Sequence, residues 1–217
     1  MSLPDLPERR QYPASVSLPD GRTLAIGGMF VGGQQAVASV VALAAGGTEW
    51  SVLAPMAQVR WSAAAVVLPD GKVLVAGGMA TPQAVSALKT AELYDPATNA
   101  WTALPDMAHK RCYPTVCVLP SGRVAVVAGF GVDGQDRKDC EAFDAVKRTW
   151  ELLPEMDEER GNPAAAPVVG GMVVVGREKV GLFDEESGRW LALPHPMAHP
   201  RVVTELASLP ASALQAA

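Results

Sequence analysis

Four times in this chain an arginine stands eleven residues before a turn glycine: Arg10 before Gly21, Arg60 before Gly71, Arg111 before Gly122 and Arg160 before Gly171. Other residues keep the same register. Diglycines follow the first two turns (Gly27-Gly28, Gly77-Gly78), and Ala128-Gly129 follows the third. Trp50, Trp101, Trp150 and Trp190 come later in each unit, then Met56, Met107, Met156 and Met197, each four residues before the next arginine. Arg201 continues the count, giving unit lengths of 50, 51, 49 and 41 residues. A self-similar period of this size means like units, each burying its apolar faces against its neighbours.

Inside a unit the local chemistry is that of short strands. Residues 61–68 (WSAAAVVL) form a continuous apolar run, as expected of a strand covered on both faces. Asp70-Gly71, like Asp20-Gly21, sits between two such runs and is a strong hairpin signal. The second strand ends on the diglycine, where a Cβ would obstruct a close backbone approach. A third strand ends in Tyr94-Asp95, Phe143-Asp144 or Phe183-Asp184, and a turn with Pro96 after Asp95 leads to the Trp-bearing fourth. No helical period intervenes. The expected fold is all-β: four-stranded antiparallel blades in a β-propeller or partial propeller, with the aromatics wedged between blades.

The expected blades cover about 10–59, 60–110, 111–159 and 160–200 of a single domain, with partial repeats at 2–9 and 201–212. Leu3-Pro4-Asp5-Leu6 stands before Arg10 as Leu104-Pro105-Asp106-Met107 stands before Arg111. A fragment of a larger propeller, an open arc completed by a second copy, and a small strained ring all fit; the first is favoured. An open arc would expose edges prone to self-association.

A formal charge of −5 argues against a phosphate backbone as main partner. The longest apolar run, Ala36–Ala45, is too short to span a membrane, and the first residues lack a signal-peptide core. Three cysteines without metal spacing suit a reducing cytoplasmic or nuclear setting, and Cys112 and Cys117, on opposite faces of a strand, cannot bridge.

The series of arginine, LPDG, diglycine, Tyr/Phe-Asp, tryptophan and methionine resembles the kelch repeat, best in the second unit. The departures are Leu43-Ala44 in place of Tyr/Phe-Asp, Ala128 in place of the first glycine, and Arg177-Glu178 at the fourth diglycine. The fourth unit also has a shortened loop between its second and third strands. The resemblance implies a non-enzymatic scaffold that binds a protein or peptide, in the manner of a substrate adaptor. The alternative it implies is a piece of a galactose-oxidase-like or sugar-isomerising enzyme. The copper oxidases need Tyr and His ligands with a Cys–Tyr crosslink; Cys112-Tyr113 has no histidine pair at an inner-strand position. The iron-associated relatives use Glu-x-x-x-Asp-x-x-x-His, a spacing absent here. No metal, cofactor or catalytic set is therefore expected.

Binding residues are expected on the face carrying the inter-blade links and the loops 29–36, 79–88 and 130–139. Arg10, Arg60, Arg111, Arg160 and Arg201 start the inner strands on that face. Open guanidinium forks there would favour an acidic ligand. The alternative is that they satisfy loop carbonyls or pair with acids such as Asp106, Glu158 and Glu159. The residues expected to hold the repeat together are Gly27, Gly28, Gly77, Gly78, Gly129 and the four periodic tryptophans. His109, His195 and His199 read as ordinary loop residues, and the run 157–160 (DEER) as a solvated surface.

Overall fold

The computed structural model describes residues 4–32, 35–82, 86–176 and 179–192. Arg201, His195, His199, Met197 and the expected repeat start at 201–212 lie outside them. The first unit runs β1 (Arg10–Gln11), β2 (Ala14–Ser17), β3 (Thr23–Ile26), β4 (Met29–Phe30), β5 (Val40–Leu43) and β6 (Trp50–Leu53). The second holds β7 (Ala64–Val67), β8 (Val73–Ala76), β9 (Ala91–Asp95) and β10 (Ala100–Ala103). The third holds β11 (Thr115–Val118), β12 (Val124–Val127), β13 (Cys140–Asp144) and β14 (Thr149–Leu153). The fourth holds β15 (Ala164–Val168), β16 (Gly171–Gly176), β17 (Lys179–Asp184) and β18 (Arg189–Ala192). Each unit forms a four-stranded antiparallel sheet in chain order, and β1 pairs with β4 in a separate two-stranded sheet. These are the blades of a β-propeller. Their inner strands meet in succession, β2 with β7, β7 with β11 and β11 with β15.

The core lies between the blades. One layer joins Leu24, Ile26 and Val40 to Val73, Val75 and Tyr94 across the first two sheets. A second joins Leu74 and Ala76 to Val124, Val126 and Phe143. A third joins Ala125 and Val127 to Met172, Val174 and Phe183. Strands such as β8 and β12 are buried on both faces, hence their continuous apolar sequence.

The four tryptophans occupy equivalent places. Each faces the third-strand residue across its sheet: Leu43 and Trp50, Tyr94 and Trp101, Phe143 and Trp150, Phe183 and Trp190. Each indole also donates to the carbonyl of the preceding segment: Pro4, Ala54, Pro105 and Pro154. Pro4 thus does for the first blade what a preceding outer strand does for the others.

The inner strands start later than the apolar run suggests. Regular pairing begins at Ala64, while Trp61 pairs separately with Met79. Ser62 between them has φ +52, and a left-handed residue breaks the extended run. In the fourth blade Gly176 pairs with Lys179, the shortened connection the sequence indicates.

The second glycine of each pair is set by close approach. A Cβ at Gly78 would lie 2.8 Å from the Trp61 carbonyl oxygen and 2.9 Å from the Ala63 Cβ, at φ +92. Gly71→Ala, with φ +84 but open space around it, should cost only its backbone strain, about 1–2 kcal/mol. Gly78→Ala should cost about 2–4 kcal/mol, because the clash adds to the strain. Denaturant midpoints of the two variants check the ordering; equal losses would contradict it.

Candidate functional site

The repeat arginines lie beneath the loop face rather than on it. Arg60, Arg111 and Arg160 are at most 1% exposed, and Arg10 is buried as well. Nη1 of Arg60 donates to the Gly77 and Thr90 carbonyls at 3.1 and 2.9 Å, pinning the base of the loop between second and third strands. Arg10 does the same to Gly27 and Ser39, and Arg111 to Ala128 and Asp139. Arg160 donates to the Val174 carbonyl. The forks at these four positions are engaged, which is the geometry of the carbonyl-satisfying alternative, and an acidic side chain finds no open fork there.

Two arginines have a buried carboxylate at hand. Arg60 Nη2 lies 2.9 Å from Glu92, and Arg111 Nη2 lies 2.7 Å from Glu141 and 2.5 Å from Asp139. Glu92 also accepts the N–H groups of Ala57 and Gln58, and Glu141 those of Ala108 and His109. Each glutamate therefore fastens the inter-blade link to the arginine that follows it. In the first and fourth blades the matching third-strand residues are Val41 and Gly181. Arg10 faces Glu8 instead, and Arg160 faces Glu158 and Asp157. Burial pulls the Arg60 and Arg160 guanidinium groups below the usual arginine range, and their carboxylate partners act against it. Asp106 pairs with Lys89, not with an arginine.

His109 is not alone in its loop. Its Nδ1 lies 3.2 Å from Asp139 and 3.7 Å from Glu141, a proximity hidden by 29 and 31 intervening residues. These three side chains bring potential ligand atoms within 4.8 Å of one another. The Arg111 guanidinium already occupies the cation's place between the two carboxylates, so the set is a histidine-capped ion pair. The three thiols are free and buried; burial pushes Cys112 up to about 11 and Cys117 and Cys140 up to about 12, which keeps them protonated and unreactive.

What reaches the surface is aromatic. In the first three units the residue after the repeat arginine pairs with the residue after the Gly-Gly or Ala-Gly pair, Gln11 with Met29, Trp61 with Met79 and Cys112 with Phe130. This builds a small layer above the blades. The next residue in each of the first three units, Tyr12, Ser62 or Tyr113, is left-handed, with φ of 51–52°; its counterpart in the fourth, Asn162, is not. Ser62 N–H donates to the Tyr12 carbonyl and Tyr113 N–H to that of Ser62, so these residues form a backbone chain across three blades. The small serine in the middle lets the two tyrosines meet edge-on, ring centroids 5.9 Å apart. Both also touch Trp61, at 5.6 and 6.1 Å, and Tyr113 continues to Phe130 at 5.8 Å. Tyr12 is 53% exposed, Tyr113 and Phe130 are half-buried, and Val31 and Val132 stand exposed on the flanking loops.

The periodicity did not single out this patch because its members are the places where the units differ. Trp61 is the one tryptophan outside the register, and Tyr12 and Tyr113 alternate with Ser62. The available signal was their common position one or two residues after the arginine.

Residues 60–108, nearly the whole second unit, match the family model described as Kelch motif. The solved structure of YjhT is similar to this chain with a TM-score of 0.71 and 17% identity, over 92% of this chain and 69% of that one. At that identity the likeness bears on the fold. No curated protein matches the sequence.

Proposed function

We propose that this chain, a kelch-repeat β-propeller protein by its second unit and its sheets, is a non-enzymatic scaffold that binds a protein or peptide through its loop face. The observation that carries this reading is the row Tyr12, Trp61, Tyr113 and Phe130. Its rings come from three blades and stand above buried arginines that hold the loops; Trp61 is buried against the tyrosines, while Tyr12 is exposed and Tyr113 and Phe130 are half-buried. Aromatic side chains offer large contact area at little conformational cost, which suits them to anchor a partner. Three adjacent left-handed non-glycine residues at the same place fit a surface whose shape is fixed in advance. In this reading the arginines serve the partner indirectly, by setting the loops.

The test is selection of random dodecapeptides displayed against the full chain, followed by affinity measurement with a Tyr12→Asn/Tyr113→Asn variant. Asparagine is among the residues that best tolerate the left-handed conformation held at both positions. Selected peptides should lose about tenfold or more in affinity, the scale of losing hot-spot aromatics, while the unfolding midpoint moves little. Selection of no peptides, or equal binding to the variant, refutes the reading.

A further inference from the structure

We propose that the peptide recognised on this face presents a cationic side chain, arginine or lysine, next to an apolar one. This deepens the peptide-binding reading and rests on it. A cleft between the loop 133–139 of the third blade and the link that leaves its outer strand, at Glu155 and Glu159, opens on the loop face beside the aromatic row. Five carboxylates line it, those of Asp133, Asp136, Asp139, Glu155 and Glu159, against two cations, Arg137 and Lys138. The cations are already committed, Arg137 to Asp139 at 2.6 Å and Lys138 to Glu155 at 2.7 Å. The sign of the cleft is therefore negative, and Asp133 and Glu159 stand exposed in it.

The cleft and the aromatic row are continuous. Phe130 and Asp136 form a backbone bridge, and both side chains close over Gly161, where a Cβ would meet them at 2.3 and 2.5 Å. Phe130 thus has Tyr113 on one side and the acidic cleft on the other. Exposed Val132 adds an apolar flank beside Asp133. A guanidinium or ammonium entering the cleft would meet carboxylates and the faces of adjoining rings, while its neighbour in the peptide lay on the tyrosines. An acidic peptide would meet repulsion from the same carboxylates.

Three capped peptides of equal length test this, alternating leucine with arginine, glutamine or glutamate, by fluorescence anisotropy with the full chain. The arginine peptide should bind about tenfold tighter than the glutamine one at ~0.1 M salt, and the glutamate one weakest. In an Asp133→Asn/Glu159→Gln variant that advantage should shrink to about threefold or less. Equal binding of arginine and glutamine peptides, or an advantage that survives the charge variant, overturns the proposal. If the glutamine peptide binds as well as the arginine one and both depend on Tyr12 and Tyr113, the peptide-binding reading stands and the cationic preference falls. If none of the three binds through the tyrosines, both fall.

Discussion

Arg111→Ala is expected to destabilise the protein by about 3–5 kcal/mol, the cost of stripping one partner from a buried charge pair. Glu141 would stay buried with two backbone N–H groups and no cation, and Asp139 would keep only Arg137 and His109. The Ala128 and Asp139 carbonyls would lose their shared donor as well. Arg160→Ala should cost less. Its partner Glu158 is partly exposed, Asp157 is exposed, and solvent can take over from the missing guanidinium. Urea unfolding of the two variants gives both numbers. A loss below about 1 kcal/mol for Arg111→Ala would mean that the guanidinium is dispensable to the blade, and would return it to the partner-contacting role considered from the sequence. The double variant Arg111→Leu/Glu141→Leu should recover part of the loss by removing both charges. Full recovery is not expected, because Ala108 and His109 would then have unsatisfied N–H groups.

The blades were legible in the sequence because the requirements that make them are local and repeat. Asp-Gly turns, diglycines without room for a Cβ and a tryptophan opposite a Tyr or Phe each leave a fixed residue at a fixed spacing. The arginines were legible by position but not by environment. Spacing places a guanidinium at the head of an inner strand; only the fold shows Thr90, Glu92 and Gly77 closing around it from 17 to 32 residues away. The surface row escaped for the opposite reason. A binding patch on a repeat scaffold is built from residues that break the repeat, and Trp61, Ser62 and Phe130 have no counterpart in every unit. The His109–Asp139 contact was invisible because both residues sit on loops whose relative placement depends on Arg111.

Trp101→Ala should produce the other large loss, about 3–5 kcal/mol, the range for deleting a large aromatic packed between elements. The indole lies 5.0 Å from the Tyr94 ring, which is fully buried, and packs on the layer joining the first two blades. It also donates to the Ala54 carbonyl at 2.8 Å, in the segment that leaves the first blade. Removing it opens a cavity and unfastens one blade from the next in the same step. Trp101→Phe separates these contributions. The ring contact with Tyr94 survives and only the N–H is lost, so the expected cost is about 1 kcal/mol plus a small packing term. The difference between the variants measures how much of inter-blade cohesion is burial and how much is the hydrogen bond, and burial should dominate. Equal losses in the two would place the cohesion in the indole N–H. That reversal would extend to Trp50, Trp150 and Trp190, which make the same bond to Pro4, Pro105 and Pro154.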